Sequence, residues 1–133
     1  MSLHQLIYTS RPFGYDTNVL ANILATSRSR NVRDDITGAL ICRSDVFLQL
    51  LEGPRGKVEA TYERICADDR HVDVTPLISE TVPDRLFPDW AMKHDPAVSW
   101  LWSPVEVHMG ALHSASKLAI REVFVRSAQD DPS

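Results

Sequence analysis

Apolar and polar positions divide the chain into short blocks with two different periods. Residues 3–9, Leu-His-Gln-Leu-Ile-Tyr-Thr, form an apolar-rich run stopped by Ser10-Arg11-Pro12-Phe13-Gly14, the pattern of a buried first strand ending in a turn. Asp16 or Thr17 can then cap a helix reaching about Arg30, with Val19, Leu20, Ile23 and Leu24 on one face. Residues 36–42 and 46–51 predict strands two and three, joined by the tight polar connection Arg43-Ser44-Asp45 of a hairpin. Gly53-Pro54 ends strand three, and a proline suits the start of a second helix because its missing N–H would lack a partner there. That helix runs to about Ala67 with Val58, Tyr62 and Ile65 facing inward. Residues 71–80 alternate as a fourth strand, in which Pro76 marks an edge or a bulge. Residues 87–93 predict a short fifth strand.

The order β-α-β-β-α-β-β is a ferredoxin-like α+β arrangement: a mixed sheet with two helices on one face. In it the first strand lies between later strands and beside the third. Residues 1–94 form this domain, and 95–133 a C-terminal extension. Past the irregular stretch Ser99-Trp100-Leu101-Trp102-Ser103-Pro104, the positions Leu112, Ala115, Ala119 and Val123 predict one helix over about 111–126. This helical appendage is expected to pack on the bare sheet face or on a partner, and the tail 129–133 is expected to be disordered.

Composition narrows the function classes. With 14 Lys+Arg against 18 Asp+Glu, the net charge of −4 lacks the basic excess that nucleic-acid binding needs. No run approaches the roughly 20 apolar residues of a membrane span, and Met1-Ser2-Leu3-His4-Gln5 opens no basic leader, so a cytoplasmic, soluble protein is expected. Cys42 and Cys66 sit in apolar stretches as reduced thiols. The five glycines are scattered, there is no Cys-x-x-Cys or His-x-x-x-His spacing, and the five histidines join no nucleophile in a known signature. Neither a metal site nor a catalytic constellation is predicted.

The informative residues are polar ones where the pattern calls for apolar ones. Gln49 shares a strand face with Phe47 and Leu51, and a buried amide left unsatisfied costs about 1–3 kcal/mol, so it must find partners. Tyr8, near the end of strand one, can point to the same helix-covered face if strands one and three are neighbours. The pair then forms either a satisfied structural bond or a reversible one. Asn31 suits a C-terminal cap of the first helix. Arg64 and Asp68 stand four apart on the second helix, followed by Arg70 and His71, either as a solvated ion pair or as a charged end of a site.

The segments Leu6-Ile7-Tyr8-Thr9-Ser10, Asn31-x4-Ile36-Thr37-Gly38-Ala39-Leu40, Phe47-Leu48-Gln49-Leu50-Leu51-Glu52-Gly53 and Phe87-Pro88-Asp89-Trp90-Ala91-Met92, with Arg64-Ile65 and Asp68-x-Arg70-His71, together resemble the BLUF family of blue-light sensors using FAD over about residues 3–94. The resemblance implies FAD as cofactor, Tyr8 as the photo-oxidisable tyrosine, Gln49 as its bridge to the flavin, and Asn31 as the amide at the flavin's pyrimidine side. It further implies that Ile23 and Ile65 sandwich the ring, that Arg30 flanks it, and that Arg64, Asp68 and Arg70 lie toward the ribityl and phosphate end. Trp90 and Met92 become candidate signal relays, and the appended helix the readout. A stand-alone sensor of this kind would be a homo-oligomer rather than an enzyme. It would act on a separate effector, such as a cyclic-di-nucleotide enzyme or a transcription regulator. The competing readings are a small flavin-dependent enzyme and a ligand-free interaction module on the same scaffold.

Overall fold

The computed structural model describes residues 3–12, 17–43, 45–68, 71–95 and 102–129. Five strands, β1 (Leu3–Pro12), β2 (Thr37–Arg43), β3 (Val46–Gly53), β4 (His71–Val82) and β5 (Lys93–Asp95), form one sheet in the order β4-β1-β3-β2-β5. The pairings are antiparallel except that of β5 with β2, which is parallel. Helices α1 (Thr17–Asp34) and α2 (Arg55–Cys66) contribute to one core, and α3 (Pro104–His108), α4 (Ala111–Ser114) and α5 (Lys117–Gln129) cover the opposite side. This is the expected ferredoxin-like α+β architecture, with β1 flanked by β3 and β4.

Two cores follow from the alternation of strand side chains. Leu6, Tyr8, Leu40, Phe47 and Leu51 meet Ile23 and Leu24 of α1 and Val58 of α2. Ile7, Ile41, Leu48, Leu50 and Ile78 meet Leu112, Ile120 and Phe124 of the extension. Every residue of β3 is therefore buried, which is why its sequence runs almost continuously apolar. Pro76 sits opposite Tyr8 where the β1–β4 register shifts, a place that requires no ladder donor from it. Gly38 is required by close approach: a Cβ there would lie 1.9 Å from the Leu50 carbonyl oxygen.

Three sequence expectations are corrected. Helix α1 continues to Asp34, so Asn31 lies inside its last turn rather than capping it; the helix ends where Asp35 turns left-handed at φ 58°. The fifth strand is Lys93–Asp95 rather than 87–93, because the backbone of the preceding segment is bonded elsewhere. The Glu52 carboxylate accepts the N–H groups of Leu86 (2.9 Å) and Phe87 (2.6 Å), and the Trp90 carbonyl accepts that of Gly38 (3.0 Å). Where a single helix is expected over about 111–126, α4 and α5 stand, and α3 precedes them. Ser103 and Glu106 form a capping box that starts α3, Gly110 adopts φ 89° after it, and Ala115 is extended before Ser116 accepts the Ala119 N–H at the start of α5. The disordered-tail expectation falls mostly on 130–133, outside the described residues, while Gln129 is helical. The Asp16 cap also lies outside them.

α5 is fastened to the sheet edge by charge. Arg121 donates to Gln5 Oε1 (3.1 Å) on β1 and to Glu80 Oε2 (2.9 Å) on β4, and Lys117 donates to Glu80 Oε1 (2.8 Å). Hydrogen bonds from Lys117 and Arg121 pull the Glu80 carboxyl down to about 2. A carboxyl held below its unfolded value stabilises the fold above that unfolded value, and the contribution fades as pH falls toward the folded one. Melting temperature of the wild type should therefore decline between about pH 4.5 and 2 more steeply than that of Glu80→Gln; identical slopes would show that Glu80 does not anchor α5.

Candidate functional site

Tyr8 and Gln49 are direct partners across the antiparallel β1–β3 ladder. Antiparallel partners share a face, and both belong to the face covered by α1 and α2. The Tyr8 hydroxyl donates to Gln49 Oε1, and Gln49 Nε2 donates to Met92 Sδ at 3.3 Å. Tyr8 is 0% and Gln49 2% exposed, so this relay of phenol, carboxamide and thioether is sealed from solvent. Burial first, and then the neighbouring Tyr62, Cys66 and Asp68, push the Tyr8 phenol well above its usual range. The Tyr62 ring lies 5.7 Å and the His71 ring 6.1 Å from that of Tyr8, and His71 Nδ1 is 2.9 Å from Ser10 Oγ.

Beside the relay, a cleft of about 480 Å³ including its open mouth lies between α1, α2 and the sheet. Its walls combine three chemistries. Ile23 from α1, Ile65 from α2 and Leu51 beneath them are apolar; Gln49 and Asn31 present carboxamides; Arg30, Arg64 and Asp68 supply charge at the rim. Arg64 reaches Asp34 Oδ2 (3.3 Å) and Thr61 Oγ1 (3.1 Å), while its Nε is buried with no hydrogen-bond partner among the described residues. Asp34 is itself held below the usual carboxylate range, chiefly by a hydrogen bond from Arg33. An apolar slot edged by amides and closed by guanidinium groups, one of them with an unmet donor, suits a planar heteroaromatic ring carrying an anionic tail. FAD has that chemistry.

The structure thus brings Ile23, Arg30, Asn31, Gln49, Arg64, Ile65 and Asp68 to one cleft, with Tyr8 directly behind Gln49. Arg70 lies outside the described residues. His71, read from the sequence as part of a charged end, also lines the cleft, as do Thr26, Ser27 and Thr61, which the sequence pattern does not single out. Thr26 and Ser27 follow Ile23 by three and four positions, and Thr61 precedes Ile65 by four, so helical spacing from the two isoleucines was the available signal.

The two proposed relay residues separate. Met92 belongs to the core on the cleft side and contacts Gln49, whereas Trp90 packs against the opposite core. Neither lies in β5. The segment 86–92 that carries them is clamped from three sides: Asn31 Nδ2 donates to the Ala91 carbonyl (2.7 Å), Arg28 Nε to that of Met92 (3.1 Å), and Glu52 holds Leu86 and Phe87. Arg85 extends the clamp, donating to the Glu52 carbonyl (3.1 Å) and Thr37 Oγ1 (2.8 Å). These bonds set where the Met92 thioether meets Gln49.

The chain is similar in sequence and in fold to known proteins. The sequence model of BLUF, described as sensors of blue-light using FAD, matches residues 3–93. The blue light- and temperature-regulated antirepressor BluF of Escherichia coli (strain K12) is 35% identical over 68 residues, 51% of this chain and 17% of its own length. Photoactivated adenylate cyclase subunit beta of Euglena gracilis is 38% identical over 74 residues, 55% of this chain and 9% of its own. The chain therefore spans less than a fifth of these two relatives. Among solved structures, the BLUF protein BlrB in its dark state is 28% identical with a TM-score of 0.77, covering 96% of this chain and 97% of that one. A bacterial light-regulated adenylyl cyclase is 29% identical with a TM-score of 0.70, covering 96% and 39%.

The Glu52 clamp generates a test. Glu52→Ala leaves the Leu86 and Phe87 donors without their buried acceptor, at a cost of at least about 2 kcal/mol. Urea unfolding should show that loss; a midpoint within error of wild type would mean that the segment is held by other contacts.

Proposed function

This chain belongs to the BLUF family of blue-light sensors using FAD, and from that premise we propose that light is recorded in the hydrogen bonds of Tyr8 and Gln49 and read by a separate effector protein. The observation that carries the reading is the sealed Tyr8–Gln49–Met92 relay beside the cleft. Bound flavin supplies a one-electron acceptor when it absorbs blue light. Tyr8 is the donor: it yields an electron and passes its phenolic proton toward Gln49 Oε1, the atom it already bonds. When both return, Gln49 settles with its carboxamide rotated or tautomerised, so that donor and acceptor ends face new partners and the bond to Met92 changes. Both groups are buried, so few partners outside the relay compete for these bonds.

Ile23 and Ile65 hold the ring between the helices, Asn31 and Gln49 serve its polar edge, Arg30 flanks it, and Arg64, Asp68 and Arg70 serve the ribityl and phosphate end. The output leaves through Met92. The next residue, Lys93, is buried, and its ammonium donates to the Ser127 carbonyl in the last turn of α5, on the other side of the sheet. A change at Gln49 thereby biases the packing of α5. Trp90, with Lys93 Nζ 5.9 Å from its ring centroid, acts on this α5 side rather than at the flavin.

The effector we propose is a cyclic-di-nucleotide enzyme or a transcription regulator; the Escherichia relative is an antirepressor and the Euglena relative a cyclase subunit. This chain is proposed to act as a sensor, not an enzyme, and as a homo-oligomer through the exposed Val105, Met109 and Leu118 of the extension. No helix among the described residues is long and apolar enough to cross a membrane. Two free cysteines support the reading of a cytoplasmic protein.

Tyr8→Phe removes the transferable proton and the readily oxidised phenol with little change in volume. It should keep bound FAD yet lose the light-induced red shift in a visible difference spectrum; an unchanged photocycle would exclude Tyr8 as donor. Gln49→Leu should also stay yellow and lose the shift, and a wild-type shift in that variant would contradict the switch.

A further inference from the structure

A second phenol stands against the photoactive one and has no part in the switch just described. Tyr62 on α2 has its ring centroid 5.7 Å from that of Tyr8, with the planes inclined at 59°. One helical turn further on, Cys66 stands on the same face of α2 as Tyr62, and its thiol bears on the Tyr62 hydroxyl. Burial falls along this series: Tyr8 is fully buried, Tyr62 half-buried and Cys66 an exposed free thiol.

That gradient has a direction for charge. A tyrosine that has lost an electron is a cation, and a cation costs more the drier its surroundings. A hole created at Tyr8 is therefore more stable at Tyr62, which reaches water and can shed its phenolic proton there. Burial, and then the Cys66 thiol, push the Tyr62 phenol up to about 12, so it waits as the neutral, protonated donor.

We propose that Tyr62 is a second electron donor, in ring contact with Tyr8, that leads a minor share of light-generated holes out of the photoactive site to the surface thiol of Cys66. The inference rests on the reading of the chain as a flavin photoreceptor, with photoexcited oxidised flavin as the one-electron oxidant. Tyr8 loses one electron to that oxidant. Tyr62 passes one electron to the Tyr8 cation radical before its proton has left, which restores the Tyr8 phenol. The Tyr62 cation radical releases its phenolic proton to water, and the resulting phenoxyl takes the hydrogen atom of the Cys66 S–H bond. Tyr62 is restored and Cys66 is left as a thiyl. The net change is one electron from Cys66 to the oxidant and one proton to water. Two such thiyls from two molecules join in a disulfide with no further electron. Return of the electron directly to Tyr8 is the competing and productive fate, so the leak accumulates only over many excitations.

The test uses the full chain loaded with FAD, held under continuous blue light without oxygen, with free thiols then alkylated by a maleimide and located by mass spectrometry. Cys66 labelling should fall with illumination and stay constant in the dark, while buried Cys42 serves as the internal reference. Tyr62→Phe keeps the ring and removes the hydroxyl; its red shift should match wild type, and its Cys66 loss should be at least threefold slower. Cys66→Ser should lengthen the life of a tyrosyl radical signal in electron paramagnetic resonance. Equal Cys66 loss with and without the Tyr62 hydroxyl, or no loss in the wild type, would overturn the relay. A normal red shift in those samples would leave the photoreceptor reading standing, whereas an FAD-loaded wild type with no red shift would bring down that reading itself.

Discussion

The fold and the proposed switch both depend on one buried contact: a phenol and a carboxamide placed opposite each other on neighbouring antiparallel strands. A strand pair fixes such a contact more firmly than two loops could, because slipping the register by one residue would move every β3 side chain to the wrong core. The ladder that runs from His4 opposite Gly53 to Ser10 opposite Phe47 holds Tyr8 against Gln49. Isolation from water supplies the second requirement. A carboxamide in water exchanges partners freely; one that is 2% exposed has few alternatives, so each arrangement of its bonds is a distinct state.

Sealing the relay takes both faces of the sheet. α1 and α2 alone would leave Leu48, Leu50, Ile41 and Ile7 exposed, and the extension covers them with Leu112, Ile120 and Phe124. Phe124 meets Phe87 edge to face at 6.4 Å, which ties α5 to the same segment that Glu52 clamps and that ends in Met92. The extension is therefore continuous with the site through packing, although none of its described residues lines the cleft.

How much of this the sequence disclosed depended on the range of the interaction involved. Gln49 stood out because one polar residue interrupts an apolar run, and Tyr8 because the order of elements puts strand one beside strand three. Both are properties of local pattern and chain order. Asn31 was misplaced as a cap because residues 28–35 are nearly all polar and give no inward face to follow; α1 persists there through the ion pairs of Asp34 with Arg33, Lys57 and Arg64, two of them on another helix. The fifth strand was misplaced for a related reason. Phe87, Trp90 and Met92 imitate a strand, yet two strand residues at i and i+2 share a face, and Trp90 and Met92 join opposite cores. What bends that segment is Glu52, 35 residues earlier, a partner no local pattern reveals. In the extension the breaks were legible and overlooked: Ser103-Pro104-x-Glu106 is a helix start, and Gly110 a stop.

The short fifth strand gains its significance from strand alternation. Met92 just before the strand and Lys93 at its start address the two sides of the sheet with a single peptide bond between them. On the cleft side the thioether is a weak acceptor, readily gained or lost by Gln49. On the far side a buried ammonium is tolerated only while its acceptors stay in place, and one of them is the carbonyl of Ser127 at the negative end of the α5 dipole. A weak contact that can be exchanged is thus coupled through stiff backbone to a strong contact that cannot be lost without moving a helix. That asymmetry is the physical reason for the proposed reading of β5 as the output arm.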